Sequence, residues 1–277
     1  MTVATELSDY PTMPPRDALR KVALKAINLI FLSRGFKLPP YFSLRDRYET
    51  LLHWPEPDVR HLCRRLLRKG MTVVDVGANI GFLTRHFSRL VGPGGKVFAF
   101  EPDPLNFRFL EFNTLARKNV ERAQMAVSDN AKPAWLHLNA TSGAGNSLVG
   151  QTHSVESVPV SCVSLDDFIK SHGNPQVDLI KIDVEGAEVK VLQGMKQTIS
   201  RLPDLQIIVE HCPKNLETAG IKSDAVYTAL KTLDLGITAI CENGSLKNVA
   251  VFKDLEPRLN RQGYVNLLCS RGKLNES

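Results

Sequence analysis

The stretch Val73-Val-Asp-Val-Gly-Ala-Asn-Ile-Gly81 is a short apolar run that meets an aspartate and then two glycines four residues apart. It reads as a β-strand passing into a helix through a tight turn. Gly77 admits a backbone conformation that other residues avoid, and Gly81 lets a helix or a ligand approach closely. Asp75 falls near the end of the strand. A turn like this also arises for steric reasons alone, so its meaning depends on the segments around it.

Downstream, β-branched runs alternate with helical stretches. MTVVDV (71–76), KVFAFE (96–101), VERAQMAV (120–127), VDLIKIDV (177–184) and LQIIVEH (205–211) read as strands. FLTRHFSRLV, PLNFRFLEFNTLAR and GAEVKVLQGMKQTIS read as helices between them. Short strands separated by single helices imply right-handed crossovers, hence an α/β fold with a mostly parallel central sheet and helices on both faces. Residues 134–165 break the rhythm. There AWLHLNA and ESVPVSCVSL flank a Gly/Ser/Asn-rich loop and suggest a small antiparallel excursion. GITAICENG and YVNLLCS offer two further strands.

Upstream the pattern is helical and basic. The 277 residues suit one sizeable domain with an appendage, divided here into an extension, 1–69, and a main domain, 70–277. Residues 1–70 hold 13 Lys/Arg against 7 Asp/Glu, which equals the formal net charge of +6, while residues 71–277 hold 22 of each. The first 15 residues read as loose. DALRKVALKAINLIF, from Asp17 to Phe31, has helical periodicity with Arg20, Lys21 and Lys25 between its apolar residues. A helix of this kind can lie on a membrane, but packing on its own domain is the commoner outcome and the expectation here. RYETLLHWPEPDVRHLCRRLLRKG reads as two short helices separated at Pro55.

Cys63, Cys162, Cys212, Cys241 and Cys269 are odd in number and scattered, which suggests neither a disulfide framework nor a Cys-x-x-Cys metal site. No opening segment has the shape of a signal peptide, and no run reaches the roughly 18 apolar residues of a membrane span. A cytoplasmic location is the expectation.

In a doubly wound sheet, ligands bind at the carboxyl ends of the strands, so polar residues there matter most. They are Asp75, Glu101, Asp183 and the pair Glu210-His211. Glu101 ends the second strand, 26 residues after Asp75, where a carboxylate can accept both hydroxyls of a ribose. The glycine pattern is Asp-x-Gly-x-x-x-Gly and not the dinucleotide Gly-x-Gly-x-x-Gly. A pyrophosphate seeks bare backbone donors and tolerates a carboxylate poorly. A cationic ligand suits Asp75 better, which points to S-adenosylmethionine. No Gly-Lys-Ser/Thr follows the glycines, so a Walker-type site is not indicated.

VVDVGANIGFLTRHFSRLVGPGGKVFAFEPDPLNFRFLEFN, AVSDN, GNSL, VSLDDF, DLIKIDVEGAEVKVLQG and IIVEHCP together resemble the FkbM family of S-adenosylmethionine-dependent methyltransferases. The resemblance covers about residues 70–213, and KIDVEGAE is its most distinctive piece. It implies a Rossmann-like class I methyltransferase fold and O-methylation of sugar hydroxyls, polyketide products or lipid-linked glycans. It also implies that Asp75, Gly77, Asn79 and Gly81 line the methionine side of the cofactor and that Glu101 binds the ribose. Pro102 and Asp103 would shape the adjoining turn, and Ser128 and Asp129 would lie beside the adenine. Ser128 serves equally well as a cap.

Methyl transfer to a hydroxyl needs alignment of donor and acceptor and removal of a proton. His211 is the first candidate base, with Glu210 to orient it or to bind the acceptor and Asp183 to position the reacting centre. A hydrogen-bonded structural histidine is the competing reading of His211. Glu188, in the first turn of a helix, reads as a cap. Asn146 and Ser147, with Glu185, are candidates for acceptor contacts. Asp183, Glu185 and Glu210 are oxygen donors that Mg²⁺ accepts, yet nothing in their spacing demands an ion, and no metal site is assigned. The acceptor is expected to be a small molecule or glycan and not a nucleic acid. Two other readings stand beside this one: an RNA methyltransferase that uses the basic extension, and a methyltransferase-fold binding module without turnover. A homodimer fits the surface helices equally well.

Overall fold

The computed structural model describes residues 16–139, 147–148 and 154–271. The loose opening expected for residues 1–15 lies outside the described residues. Three helices come first, α1 (Arg16–Ser33), α2 (Leu44–Leu52) and α3 (Pro57–Leu66). Then β1 (Thr72–Val76), α4 (Phe82–Val91), β2 (Lys96–Phe100), α5 (Pro104–Thr114) and β3 (Val120–Ala123) alternate. β4 (Ala126–Ser128), β5 (Ala134–Asn139), β6 (Ser154–Val160), β7 (Cys162–Ser164) and α6 (Leu165–Ser171) follow. The last part runs β8 (Leu179–Ile182), α7 (Glu188–Gln193), α8 (Lys196–Arg201), β9 (Gln206–His211), α9 (Pro213–Thr218) and α10 (Ala225–Thr232). It ends with β10 (Gly236–Ile240), β11 (Leu246–Asn248), α11 (Glu256–Gln262) and β12 (Val265–Ser270).

The main sheet has the order β11-β10-β12-β9-β8-β1-β2-β3. β1, β2, β3, β8 and β9 are parallel, while β12 inserts antiparallel between β9 and β10. The chain steps outward from β1 to β3 and then returns on the other side of β1 as β8. That reversal opens a crevice at the carboxyl ends of β1 and β8. The fold is the Rossmann-like class I methyltransferase fold.

Strand alternation distributes the apolar residues to two cores. Val73, Val97, Leu179 and Ile208 face α3 and α4, meeting Leu62, Leu83 and Phe87. Val74, Phe98, Ile180, Ile207 and Val209 face the opposite layer, where Phe168, Val191, Ile199 and Leu230 pack. Because parallel strands are buried on both faces, they read as continuous apolar runs.

VERAQMAV forms two strands and not one. β3 ends the main sheet, and β4 pairs with β7 in a separate ribbon. The antiparallel excursion is the β5–β6 pair. The extension is seated by Phe31, Phe36 and Leu38 against Ile80, with Trp54 and Phe82 packed beside them. Asn113 fixes it further, accepting from the Lys37 amide at 2.6 Å and donating to the Ile80 carbonyl at 2.7 Å. α1 therefore does pack on its domain through this cluster, yet Val22 and Leu29 on its other side stay 64% and 65% exposed.

Candidate active site

The two glycines of the first loop make room for protein atoms. Gly77 has φ +85°, and a Cβ there would fall 1.8 Å from the Asp183 carbonyl oxygen, so the end of β8 occupies the missing side chain's place. Gly81, with φ +92°, opens α4, and its Cβ would meet Leu110 Cδ1 at 3.0 Å. Close packing of β1, β8, α4 and α5 thus accounts for both. Gly77 also lines the crevice, whereas Gly81 does not.

The crevice holds a cleft of about 310 Å³ at the carboxyl ends of β1, β2, β8 and β9. Phe42, Pro55 and Glu56 of the extension form one wall, and Met125 to Val127, Leu136 and Leu148 another. Glu56, Asn79 and Glu185 all line it with φ between 50° and 52°, a region that non-glycine residues rarely adopt. Such backbone clusters where surrounding structure holds it for a purpose.

Among the described residues, the charged groups lining the cleft are Glu56, Asp75, Glu101, Asp183, Glu185, Glu210 and a single cation, Lys181. Glu101 is buried and accepts from the Asn79 amide at 2.7 Å and the Asp103 amide at 3.0 Å. Burial pushes its carboxyl up to about 8, with Asp103 and Asp75 adding to the rise against the two amide bonds. Asp75 accepts the Thr84 hydroxyl, and burial raises it to about 6. Burial, then Asp183, raises Glu185 and Glu210 as well.

Lys181 is 1% exposed in the middle of β8, directly opposite Asp75 in register. Its Nζ lies 3.2 Å from Asp183 Oδ2 and 3.5 Å from Glu56 Oε2. Burial alone would lower its pKa, but Asp183, Glu56 and Glu210 outweigh burial and raise it, so the ammonium stays charged. A cleft lined by six carboxyl groups and one ammonium suits a ligand that brings positive charge, which favours the ionised carboxylates, better than it suits a polyphosphate. An S-adenosylmethionine molecule, with its sulfonium and amino group, fits that set.

Residues 75–265 match the family described as Methyltransferase FkbM domain, which is more than half of the chain. The chain belongs to the FkbM family of S-adenosylmethionine-dependent methyltransferases. Its FkbM relatives include the 31-O-demethyl-FK506 methyltransferase of Streptomyces tacrolimicus, 32% identical over 160 residues, or 47% of this chain and 61% of that protein. The 2-O-methyltransferase NoeI of Sinorhizobium fredii is 27% identical, covering 64% of this chain and 77% of that one. The hexuronic acid methyltransferase AglP of Haloferax volcanii is 28% identical, covering 52% and 58%. The chain thus spans about three fifths of the length of the first and third of these. Among solved structures, a SAM-dependent methyltransferase from Aquifex aeolicus aligns with a TM-score of 0.45 at 16% identity, covering 90% of this chain and 98% of that chain.

Within this FkbM chain the structure gathers Asp75, Gly77, Asn79, Glu101, Pro102, Asp183, Glu185 and Glu210 around the cleft. It does not bring His211 there. Alternation along β9 sends Glu210 to the cleft face and His211 to the opposite core, where the ring is 0% exposed and stands edge-on to Phe252 at 5.6 Å. Both ring nitrogens are buried, and neither meets a hydrogen-bonding group of the described residues. Ser128 and Asp129 stand just past the wall, with Ser128 donating to Asp129 at 3.1 Å, and Met125 to Val127 face the cleft instead. Ser147 donates to the Glu185 carbonyl at 2.6 Å and so ties the β5–β6 excursion to the Glu185 loop. Asn146 lies outside the described residues. Glu188 accepts from the Gly186 amide at 3.0 Å, the local capping its position suggests.

Strand alternation in the sequence puts Lys181 on the face opposite Ile180 and Ile182 but gives it no role, and nothing there singles out Glu56. A lysine inside the apolar run Leu179–Ile182 was the available signal, since an unpaired ammonium is not tolerated there. Glu56 gave none, because it sits in the extension and reaches the cleft only through its left-handed backbone.

Proposed function

We propose that this protein is an O-methyltransferase that transfers the methyl group of S-adenosylmethionine to a hydroxyl of a sugar, glycan or natural-product acceptor. The observation that carries the reading is the cleft at the strand ends, lined by six carboxyl groups and Lys181, with Glu101 at the end of β2. The names of the relatives, a 31-O-demethyl-FK506, a 2-O- and a hexuronic acid methyltransferase, support an acceptor rich in hydroxyls. An RNA acceptor is the poorer fit, because the same carboxylates repel phosphates.

Glu101 accepts the two ribose hydroxyls, Pro102 borders the adenosine, and Asp75 with the Gly77–Asn79 loop faces the cationic methionine end. When bound, the cofactor supplies an electrophilic methyl group on a sulfonium. Asp183 and Glu185 hydrogen-bond the acceptor and hold its hydroxyl toward the cofactor site. Glu210 takes the hydroxyl proton on a carboxylate oxygen, its basicity raised by burial and by Asp183. Lys181 stays cationic and pulls the Glu210 carboxyl back down against burial, favouring the ionised form that must be present before the proton is accepted.

Calorimetric titration of the cofactor-free protein with S-adenosylmethionine, S-adenosylhomocysteine and NAD tests the first half. Binding of the first two and not NAD is expected; binding of NAD alone overturns it. Release of S-adenosylhomocysteine that depends on added glycans or uronic acids, and is lost in Glu210→Gln, tests the second.

A further inference from the structure

α1 has two apolar sides. Ile27 and Phe31 seat it against Phe36 and Ile80. On the other side Leu19, Val22, Ala26, Leu29 and Ile30 recur at helical spacing, and all five are exposed. Lys21 and Lys25, one turn apart and also exposed, form a row along the border of this stripe. Asp17, in the first turn, is the only acidic residue of the helix. The positive balance of the whole chain lies in the same first 70 residues.

Two occupants suit such a face, a second copy of the chain or a lipid surface. Pairing α1 antiparallel with its own copy would bring the two Lys21–Lys25 rows along the same border, where like charges repel, and a parallel pair would leave both rows without anionic partners. Anionic headgroups take the lysines while the acyl boundary takes the apolar stripe. We propose that α1 docks this protein on an anionic membrane surface, lying in the plane of the interface with Leu19, Val22, Leu29 and Ile30 buried and Lys21 and Lys25 at the headgroups. No helix among the described residues is long and apolar enough to cross a membrane. Phe42 belongs to the cluster that seats α1 and also lines the cleft, so docking holds that rim of the cleft beside the lipid.

Co-sedimentation of the full chain with phosphatidylcholine vesicles, with and without phosphatidylglycerol, at low and high salt is the test. Binding that requires phosphatidylglycerol and weakens with salt is expected. Lys21→Gln/Lys25→Gln should lower partitioning roughly 30-fold, and Val22→Gln/Leu29→Gln by about tenfold or more. Both variants change exposed side chains away from the cleft, so thermal unfolding and S-adenosylmethionine affinity should match the parent. Absence of vesicle binding overturns the proposal, as does equal binding to uncharged vesicles. A dimer by light scattering that Val22→Gln/Leu29→Gln dissociates, without vesicle binding, would assign the face to self-association.

Discussion

Glu56 Oε2, from the turn that opens α3, lies 3.5 Å from Lys181 Nζ in the centre of the sheet. The helical extension and the methyltransferase domain therefore share one buried charge, with Asp183 as its third member. Removing the cation leaves carboxylates buried without compensation.

Lys181→Met should cost about 3–5 kcal/mol of stability near neutral pH, the scale for breaking a buried ion pair. Urea denaturation at two pH values checks it. The deficit should shrink toward acid pH, where the stranded carboxylates are neutral. Glu56→Gln should cost less, since Asp183 still pairs with the lysine.

Glu101→Gln preserves size but removes the carboxyl at the end of β2 that a cationic cofactor draws into its ionised form. Loss of charge-assisted hydrogen bonds to a ribose should weaken S-adenosylmethionine binding roughly 10- to 100-fold. Calorimetry on the folded variant reads this directly. Unchanged affinity would place the ribose elsewhere.

Stability should fall as pH rises from about 6.5 to about 8. The folded-state pKa of Glu101 is raised from 4.5 to about 8, so the folded protein holds a proton that the unfolded chain has released in that window. Burial lowers His86 and His211 from 6.5 to about 4, which works in the opposite sense but only below about 6.5. A cationic cofactor favours the ionised carboxylates, so its affinity should rise across the same window and offset the fall. Thermal unfolding with and without S-adenosylmethionine, at pH values spanning the window, measures both trends.

His211→Leu should leave cofactor affinity unchanged and stability equal or higher by about 1 kcal/mol, because an apolar side chain replaces two unpaired buried nitrogens. Turnover should survive. A folded variant with normal cofactor binding and abolished turnover would return the base to His211.

The strand-to-helix rhythm, the loop Asp75–Gly81 and the carboxylates ending β1, β2, β8 and β9 were legible because each rests on local spacing. His211 and Glu210 were harder. They are neighbours in the chain, and only the pairing of β9 with β8 and β12 decides which of them faces the cleft. The same holds for Gly77 and Gly81, whose local signature is identical whether a ligand or another segment of the chain comes close.

Chain chemistry alone determined the alternating α/β fold, the FkbM family pattern and the acidic strand ends, since periodicity and residue type act within a few residues. Tertiary structure decided the rest. It placed Lys181 among three carboxylates and carried Glu56 from the extension into the cleft. It also left one side of α1 uncovered. Each of these depends on contacts between segments distant in sequence, where packing and burial, not local propensity, set position and charge.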